Sequence, residues 1–308
     1  MDKKKTPLTR KRPLVQALSA LLHNGHLTGF VTGNIYTGPA KQVCVPGLNC
    51  YSCPGALGAC PVGSLQNALS AYRFRFPYYV LGFLLLFGTL LGRVICGFLC
   101  PFGFLQDLLY RVPLPEKWRR VRKLHTFPGD RPLRLVKYGV LALLVLLLPF
   151  TVKGTPFFCK YLCPSGTLSG LLLIARDQRL APLLGGIFTW KALVLTVIVL
   201  GSILWFRPFC KYLCPLGAFY ALFNKVAAVR LGIDAQRCTK CGRCAKVCGM
   251  AVNPAAQPNA AECIRCGQCV AACPHEAIEW VHPALSLPRG LAKQPPESSE
   301  KKDKKGKK

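Results

Sequence analysis

The sequence predicts a mainly α-helical protein: a four-span helical membrane domain built as two tandem repeats, followed by a small C-terminal α+β domain. Three observations predict it. The 308 residues are 51% hydrophobic, with the apolar residues gathered into long runs. Four copies of C-P-x-G punctuate the first two-thirds of the chain. The last eight of its 18 cysteines fall in one short stretch, Cys238 to Cys273. Eighteen cysteines in a long chain, grouped in repeating short motifs, point to metal rather than to a secreted disulfide scaffold.

Residues 1–13 form a basic lead, with Lys3, Lys4, Lys5, Arg10, Lys11 and Arg12 against Asp2. The membrane domain is placed at 14–231. Its first expected span, 14–33, carries His23, Asn24 and His26 in an otherwise apolar run; it is read as an uncleaved helix rather than the core of a signal peptide. Residues 34–77 read as loop, with Cys44, Cys50, Cys53 and Cys60 among Gly and Pro. Spans near 78–95, 135–152 and 187–206 are long and apolar enough for a hydrocarbon core of roughly 30 Å. Trp190 and Trp205 would anchor the last one at the interfaces. A short apolar piece covers 165–175, and 216–231 reads as an amphipathic helix. The final domain is placed at 232–284, and 285–308 is a Lys-, Ser- and Pro-rich tail of disordered type.

The formal net charge is +29. No basic stripe interleaved with aromatics accompanies it, so nucleic-acid binding is set aside. The charge instead orients the chain, since cytoplasmic loops carry excess Lys and Arg. The lead and the basic 111–137 loop are expected in the cytoplasm, together with the C-terminal domain. Cys96/Cys100 and Cys210/Cys214 then fall on the inner side; Cys44–Cys60 and Cys159/Cys163 fall on the outer side.

The C-P-x-G copies begin at Cys60, Cys100, Cys163 and Cys214, and three extend backwards to C-x3-C-P. Proline suits the first turn of the short helix expected after each. The inner side totals four thiols, Cys96, Cys100, Cys210 and Cys214, enough for one iron–sulfur centre or a set of redox thiols. The outer side holds six: Cys44, Cys50, Cys53, Cys60, Cys159 and Cys163. Four of these could hold a further centre. Ala56 stands where the C-x3-C partner of Cys60 is missing, so Cys53 or Cys50 would substitute.

The last eight cysteines read C-x2-C-x2-C-x3-C twice, from Cys238 and from Cys263. In this spacing three cysteines of a run grip one [4Fe–4S] cluster and the fourth ligates the other. One set is therefore Cys238, Cys241, Cys244 and Cys273; the second is Cys263, Cys266, Cys269 and Cys248. The pattern resembles the bacterial two-cluster ferredoxin, apart from Gly249 where that motif has Pro. Zinc sites space their ligand pairs further apart.

With Gly92-Arg93-Val94-Ile95-Cys96-Gly97-Phe98-Leu99-Cys100-Pro101 and Phe209-Cys210-Lys211-Tyr212-Leu213-Cys214-Pro215-Leu216-Gly217, the chain resembles the NapH/MauN/NosR-type membrane polyferredoxins over roughly 78–280. The resemblance implies a bacterial inner-membrane protein with four spans, cytoplasmic termini and two [4Fe–4S] centres. It would pass electrons between the quinone pool or a cytoplasmic carrier and a partner redox system. Arg230, Arg237, Lys240, Arg243 and Lys246 would steer an acidic ferredoxin or flavodoxin, and His23 and His26 are candidates to touch a quinone. The Cys44–Cys60 block and Cys159/Cys163 depart from the simplest members. No dinucleotide fingerprint or P-loop is present, so an electron-transfer component is expected rather than a stand-alone enzyme. Redox sensing, metalloenzyme maturation, and copper or zinc handling by the outer thiols are the other readings of the same residues.

Overall fold

The computed structural model describes residues 7–73, 76–113, 129–176 and 185–281. Most of the 111–137 basic loop, the start of the lead and the C-terminal tail lie outside them. The described chain is mainly helical, with one two-stranded sheet near its end.

Two helices are long and apolar enough to cross a bilayer: Asp130–Thr151 and Gly186–Leu204. Their exposed faces carry Leu143, Leu146, Leu147, Leu193, Val197 and Leu200, side chains that water would not tolerate as a continuous surface. The helix Tyr78–Leu90 is equally apolar but has 13 residues. At 1.5 Å per residue it spans about 20 Å, less than the core of a bilayer.

The expected span at 14–33 is not one helix. It divides into Pro7–His23 and Leu27–Thr32, broken where Leu57 donates its N–H to the His23 carbonyl and His26 donates its own to the Gly55 carbonyl. The first piece is amphipathic in an inverted sense. Arg12, Gln16, Ser19 and His23 are buried against the protein, while Leu14, Leu18, Leu21 and Leu22 point outward. The burial at i, i+4, i+7 and i+11 is a single helical face, so this helix offers its polar stripe to partners and its leucines to an apolar surrounding. The predicted helix at 216–231 is also shorter: Pro215–Leu222 is helical, and by Arg230 the chain has become a strand. That strand, Arg230–Ile233, pairs antiparallel with Ile278–Val281, Arg230 opposite Val281. The ferredoxin-like segment is thus closed by its two ends.

All four C-P-x-G copies start a helix. Cys60, Cys100 and Cys214 are N-caps with extended backbone, and proline follows at the first helical position. The three C-x3-C-P copies also share an irregularity. Cys100, Cys163 and Cys214 donate their N–H five residues back, to Ile95, Phe158 and Phe209. Such π-type turns recur at functional sites; here each places two thiols on one side of a tight bend.

Candidate iron–sulfur centres

The structure gathers sixteen of the 18 cysteines into four groups; all 18 are unpaired thiols. Near the C-terminus, Cys238, Cys241, Cys244 and Cys273 line one small cavity with Thr239, Pro274 and Ile278. Cys241 is exposed at its mouth. In the second group, Cys269 senses the charges of Cys266, Cys263 and Cys248, and burial, the largest influence, raises its thiol. The two runs are built alike. Lys240 and Arg265 both take left-handed backbone (φ 52° and 50°), and Gly242 and Gly267 follow at φ 72° and 77°. Successive residues of this kind turn amide N–H groups towards a common anion.

The inner thiols Cys96, Cys100, Cys210 and Cys214 are all buried. Cys214 senses Cys210, Cys96 and Cys100 at once. Hydrogen-bond donors are aimed at sulfur: Gly217 N–H at Cys214 Sγ (3.3 Å) and Gln106 Nε2 at Cys210 Sγ (3.1 Å). Burial, partly offset by Arg207, pushes the Cys210 thiol up to about 12. A neutral thiol makes little use of such donors; a metal-bound thiolate does.

Two arginines cross over this group. Arg93 lies three residues before Cys96, Arg207 three before Cys210, and neither is exposed to solvent. Arg93 donates to the Cys210 carbonyl (3.3 Å), and Arg207 donates to the Cys96 carbonyl. Each is held by a carboxylate that a second cation shares. Glu262 pairs with Arg93 (3.0 Å) and Lys137; Asp107 pairs with Arg207 (2.6 Å) and Arg12 (2.5 Å). Around the group the buried cations are Arg12, Arg93, Lys137, Arg207 and Lys211, and the described carboxylates near them are Asp107, Asp130 and Glu262. Buried charge is costly unless compensated. The excess of positive charge among the described residues fits an anionic group enclosed by four thiolates, as an iron–sulfur cluster is. Among the described residues no group of three His, Cys, Asp or Glu side chains is arranged around a single ion.

The outer six thiols do not act as one group. Cys163 senses Cys159, Cys50 and Cys60. Cys53 stands instead beside Lys41, and Cys44 faces Ser64. The Cys44–Cys60 block also packs on the inner group. Gly47 packs on Cys100 and Pro101, and the Tyr220 hydroxyl donates to the Pro46 carbonyl (3.1 Å).

The groups are contiguous. A methyl at Gly97 would stand 2.4 Å from the Ile264 carbonyl, so the backbone beside Cys96 touches the backbone beside Cys263. Asn224 ties that junction through the Ala260 (2.7 Å) and Cys263 (2.8 Å) carbonyls. Leu48 N–H reaches Cys100, and the next amide, Asn49, reaches Cys60. Tyr220, fully buried, senses Cys96, Cys60, Cys100 and Cys214.

Three segments, residues 76–123, 137–180 and 187–234, match one family described as a 4Fe-4S binding domain, and residues 256–279 match a second with the same description. Each of the first three holds an apolar helix followed by C-x3-C-P. The methylamine utilization ferredoxin-type protein MauN of Paracoccus denitrificans is 31% identical over 63% of this chain and 62% of its own length. The ferredoxin-type protein NapH of Haemophilus influenzae is 27% identical over 54% of this chain and 50% of its own. The chain belongs to the NapH/MauN-type polyferredoxins. An uncharacterized protein of Methanocaldococcus jannaschii is 29% identical over 63% of this chain and 74% of its own length. The chain spans about half the length of several curated relatives it matches, 53% of a second M. jannaschii protein and 42% of the putative electron transport protein YccM of Escherichia coli. No solved structure matches. It carries 4Fe-4S binding domains and two helices long and apolar enough to cross a membrane, and its named relatives are ferredoxin-type and electron-transport proteins.

Reading by motif overlooked the residues between the cysteines. Phe158-Cys159-Lys160-Tyr161-Leu162-Cys163-Pro164 and Phe209-Cys210-Lys211-Tyr212-Leu213-Cys214-Pro215 are the same seven residues. Cys60 and Cys100 both open C-P-x-G-x-L-Q, ending at Gln66 and Gln106. Those glutamines were legible as a repeat. Glu262 and Asp107 were not, because nothing in sequence spacing announces a buried ion pair.

Proposed function

We propose that this polyferredoxin relays electrons between a soluble carrier and a membrane redox partner through a row of adjacent [4Fe–4S] centres. The contact between Gly97 and Ile264 carries the reading, because it sets the second ferredoxin group against the inner membrane group with no intervening element. Cys238, Cys241, Cys244 and Cys273 hold the entry centre, beside exposed Cys241. Cys248, Cys263, Cys266 and Cys269 hold the next, and Cys96, Cys100, Cys210 and Cys214 the third. The protein contributes enclosure, N–H···S hydrogen bonds and nearby cations, the means by which cluster potentials are set. No bond-making step is required.

The entry surface is basic. Arg237, Lys240 and Arg243 line the cavity of the first group, which suits an acidic ferredoxin or flavodoxin approaching by electrostatic steering. In this reading the ferredoxin domain, 232–284, lies in the cytoplasm with the basic loop. The membrane domain crosses four times, its short helices completing two tandem halves. Quinone or an extracytoplasmic protein is the other redox partner.

The test is anaerobic iron and acid-labile sulfide per chain, with paramagnetic resonance during a redox titration, then repeated reoxidation by a membrane acceptor. Three centres correspond to about twelve irons, and the reading expects at least that number and multiple turnovers. About eight irons would confine the clusters to the ferredoxin domain and remove the membrane relay. One change of redox state without turnover would indicate a sensor.

A further inference from the structure

We infer that Cys50, Cys60, Cys159 and Cys163 form a fourth [4Fe–4S] site, with Cys44 and Cys53 excluded from it. The inference rests on the relay reading and extends it to a site half of which lies outside every matched family segment.

Three independent observations converge. The first is distance. A methyl built on Gly166 would stand 3.7 Å from Cys50 Sγ and 4.0 Å from Cys163 Sγ; one on Gly63 would stand 3.8 Å from Cys159 Sγ and 3.9 Å from Cys60 Cβ. Each C-P-x-G glycine therefore faces a thiol of the opposite half, and Cys163 lies close enough to Cys159, Cys50 and Cys60 to join the two pairs. The absent Cβ atoms leave room beside them.

The second is a shared template. In the inner group, Gln106, six residues after Cys100, donates to Cys210 Sγ (3.1 Å). In the outer group, Gln66, six residues after Cys60, donates to Cys159 Sγ (3.3 Å). Cys159 and Cys210 both head C-x3-C-P, and Cys163 and Cys214 both donate five residues back. Cys60 thus takes the role of Cys100, and the Cys159/Cys163 pair takes that of Cys210/Cys214. The place left for an equivalent of Cys96 is filled by Cys50, which arrives on the 46–50 loop. Ala56, in the C-x3-C register, is fully buried and carries no ligand atom.

The third is charge. Lys41 is buried, donates to the Ala56 carbonyl (2.7 Å) and senses Cys50 and Cys53. Lys191 Nζ would stand 3.9 Å from a methyl on Gly166 and senses Cys159. Two ammonium groups at the edge of four thiols, Cys60 and Cys163 buried and Cys50 and Cys159 half-buried, suit an anionic cluster. Cys53 stands beside Lys41, and the thiols next to Gly63 and Gly166 are those of the other four cysteines; Cys44 is turned to Ser64.

The test uses the full chain, purified anaerobically, with iron, sulfide and paramagnetic resonance. The wild type should carry about sixteen irons, four for each cluster. Cys50→Ala should lose about four and one resonance component, with the ferredoxin signals intact; Cys53→Ala and Cys44→Ala should lose none. Loss of iron from Cys53→Ala but not from Cys50→Ala would overturn the ligand assignment. About twelve irons in the wild type, with disulfides or single zinc ions at these cysteines, would overturn the site while leaving the three-centre relay standing. Should Cys50→Ala fail to accumulate, Gln66→Leu carries the test. Loss of its N–H donor should shift one midpoint potential negative and spare the others, and four unshifted potentials would refute the site.

Discussion

Replacing Glu262 by Gln should loosen the ferredoxin domain from the membrane domain. Glu262 sits one residue before Cys263 and pairs across the junction with Arg93 and Lys137, both with fully buried side chains. Arg93 donates in addition to the neighbouring Ala261 carbonyl (2.7 Å). Burial alone would raise the Glu262 carboxyl, but the charges and hydrogen bonds of Arg93 and Lys137 outweigh it and hold it below its ordinary value. The amide keeps the shape and removes the charge, leaving two cations buried without their shared anion. Removing one partner of a buried pair costs about 3–5 kcal/mol. The inner centre's negative charge offsets part of this, so the lower end, about 3 kcal/mol, is the expected loss. That is roughly a hundredfold in the opening equilibrium. Local opening is read by hydrogen exchange, so the amides of residues 260–266 should exchange about a hundredfold faster, with those of Gly186–Leu204 unchanged. Exchange at 260–266 indistinguishable from the wild type would refute the bridge as an energetic link. Equal acceleration in both regions would show a global rather than a junctional effect.

The same pair predicts a pH dependence. A carboxyl depressed in the folded state stabilises fully above its unfolded value, near 4.3, and loses that contribution as pH falls through its lower folded value. Junction protection should therefore be flat from about pH 7 to 5 and fall only in stronger acid; a decline already between 7 and 6 would contradict it. Gln106→Leu should shift the inner centre's midpoint potential negative in a redox titration, because it removes a donor at Cys210 Sγ; an unchanged potential would place that donor outside the centre. Cys241→Ser should lose one ferredoxin resonance component with membrane content preserved, and a full set of signals would sink that ligand set. Reporters fused at exposed Tyr72 and within residues 114–128 should lie on opposite membrane faces; the same face for both would overturn the four-span topology.

The sequence by itself determined the ferredoxin-type motif, apolar spans near 135–152 and 187–206, which the structure sets at Asp130–Thr151 and Gly186–Leu204, and the four C-P-x-G helix starts. These depend on local spacing: a proline at a first turn, three cysteines on a tight loop, a run of leucines matched to bilayer thickness. It also held the repeated seven residues at Phe158 and Phe209 and the paired Gln66 and Gln106. Only the tertiary structure set Cys50 beside Gly166 and Cys163, because Cys50 arrives on an irregular loop whose path no periodicity encodes. It alone broke the 14–33 run at His23, where backbone groups of residues 55 and 57 take hydrogen bonds that a continuous helix would keep for itself. It alone brought Arg93 to Glu262 and Arg207 to Asp107, more than a hundred positions apart in the first case. Buried charge is compensated in space, and the chain distance between partners carries no trace of it.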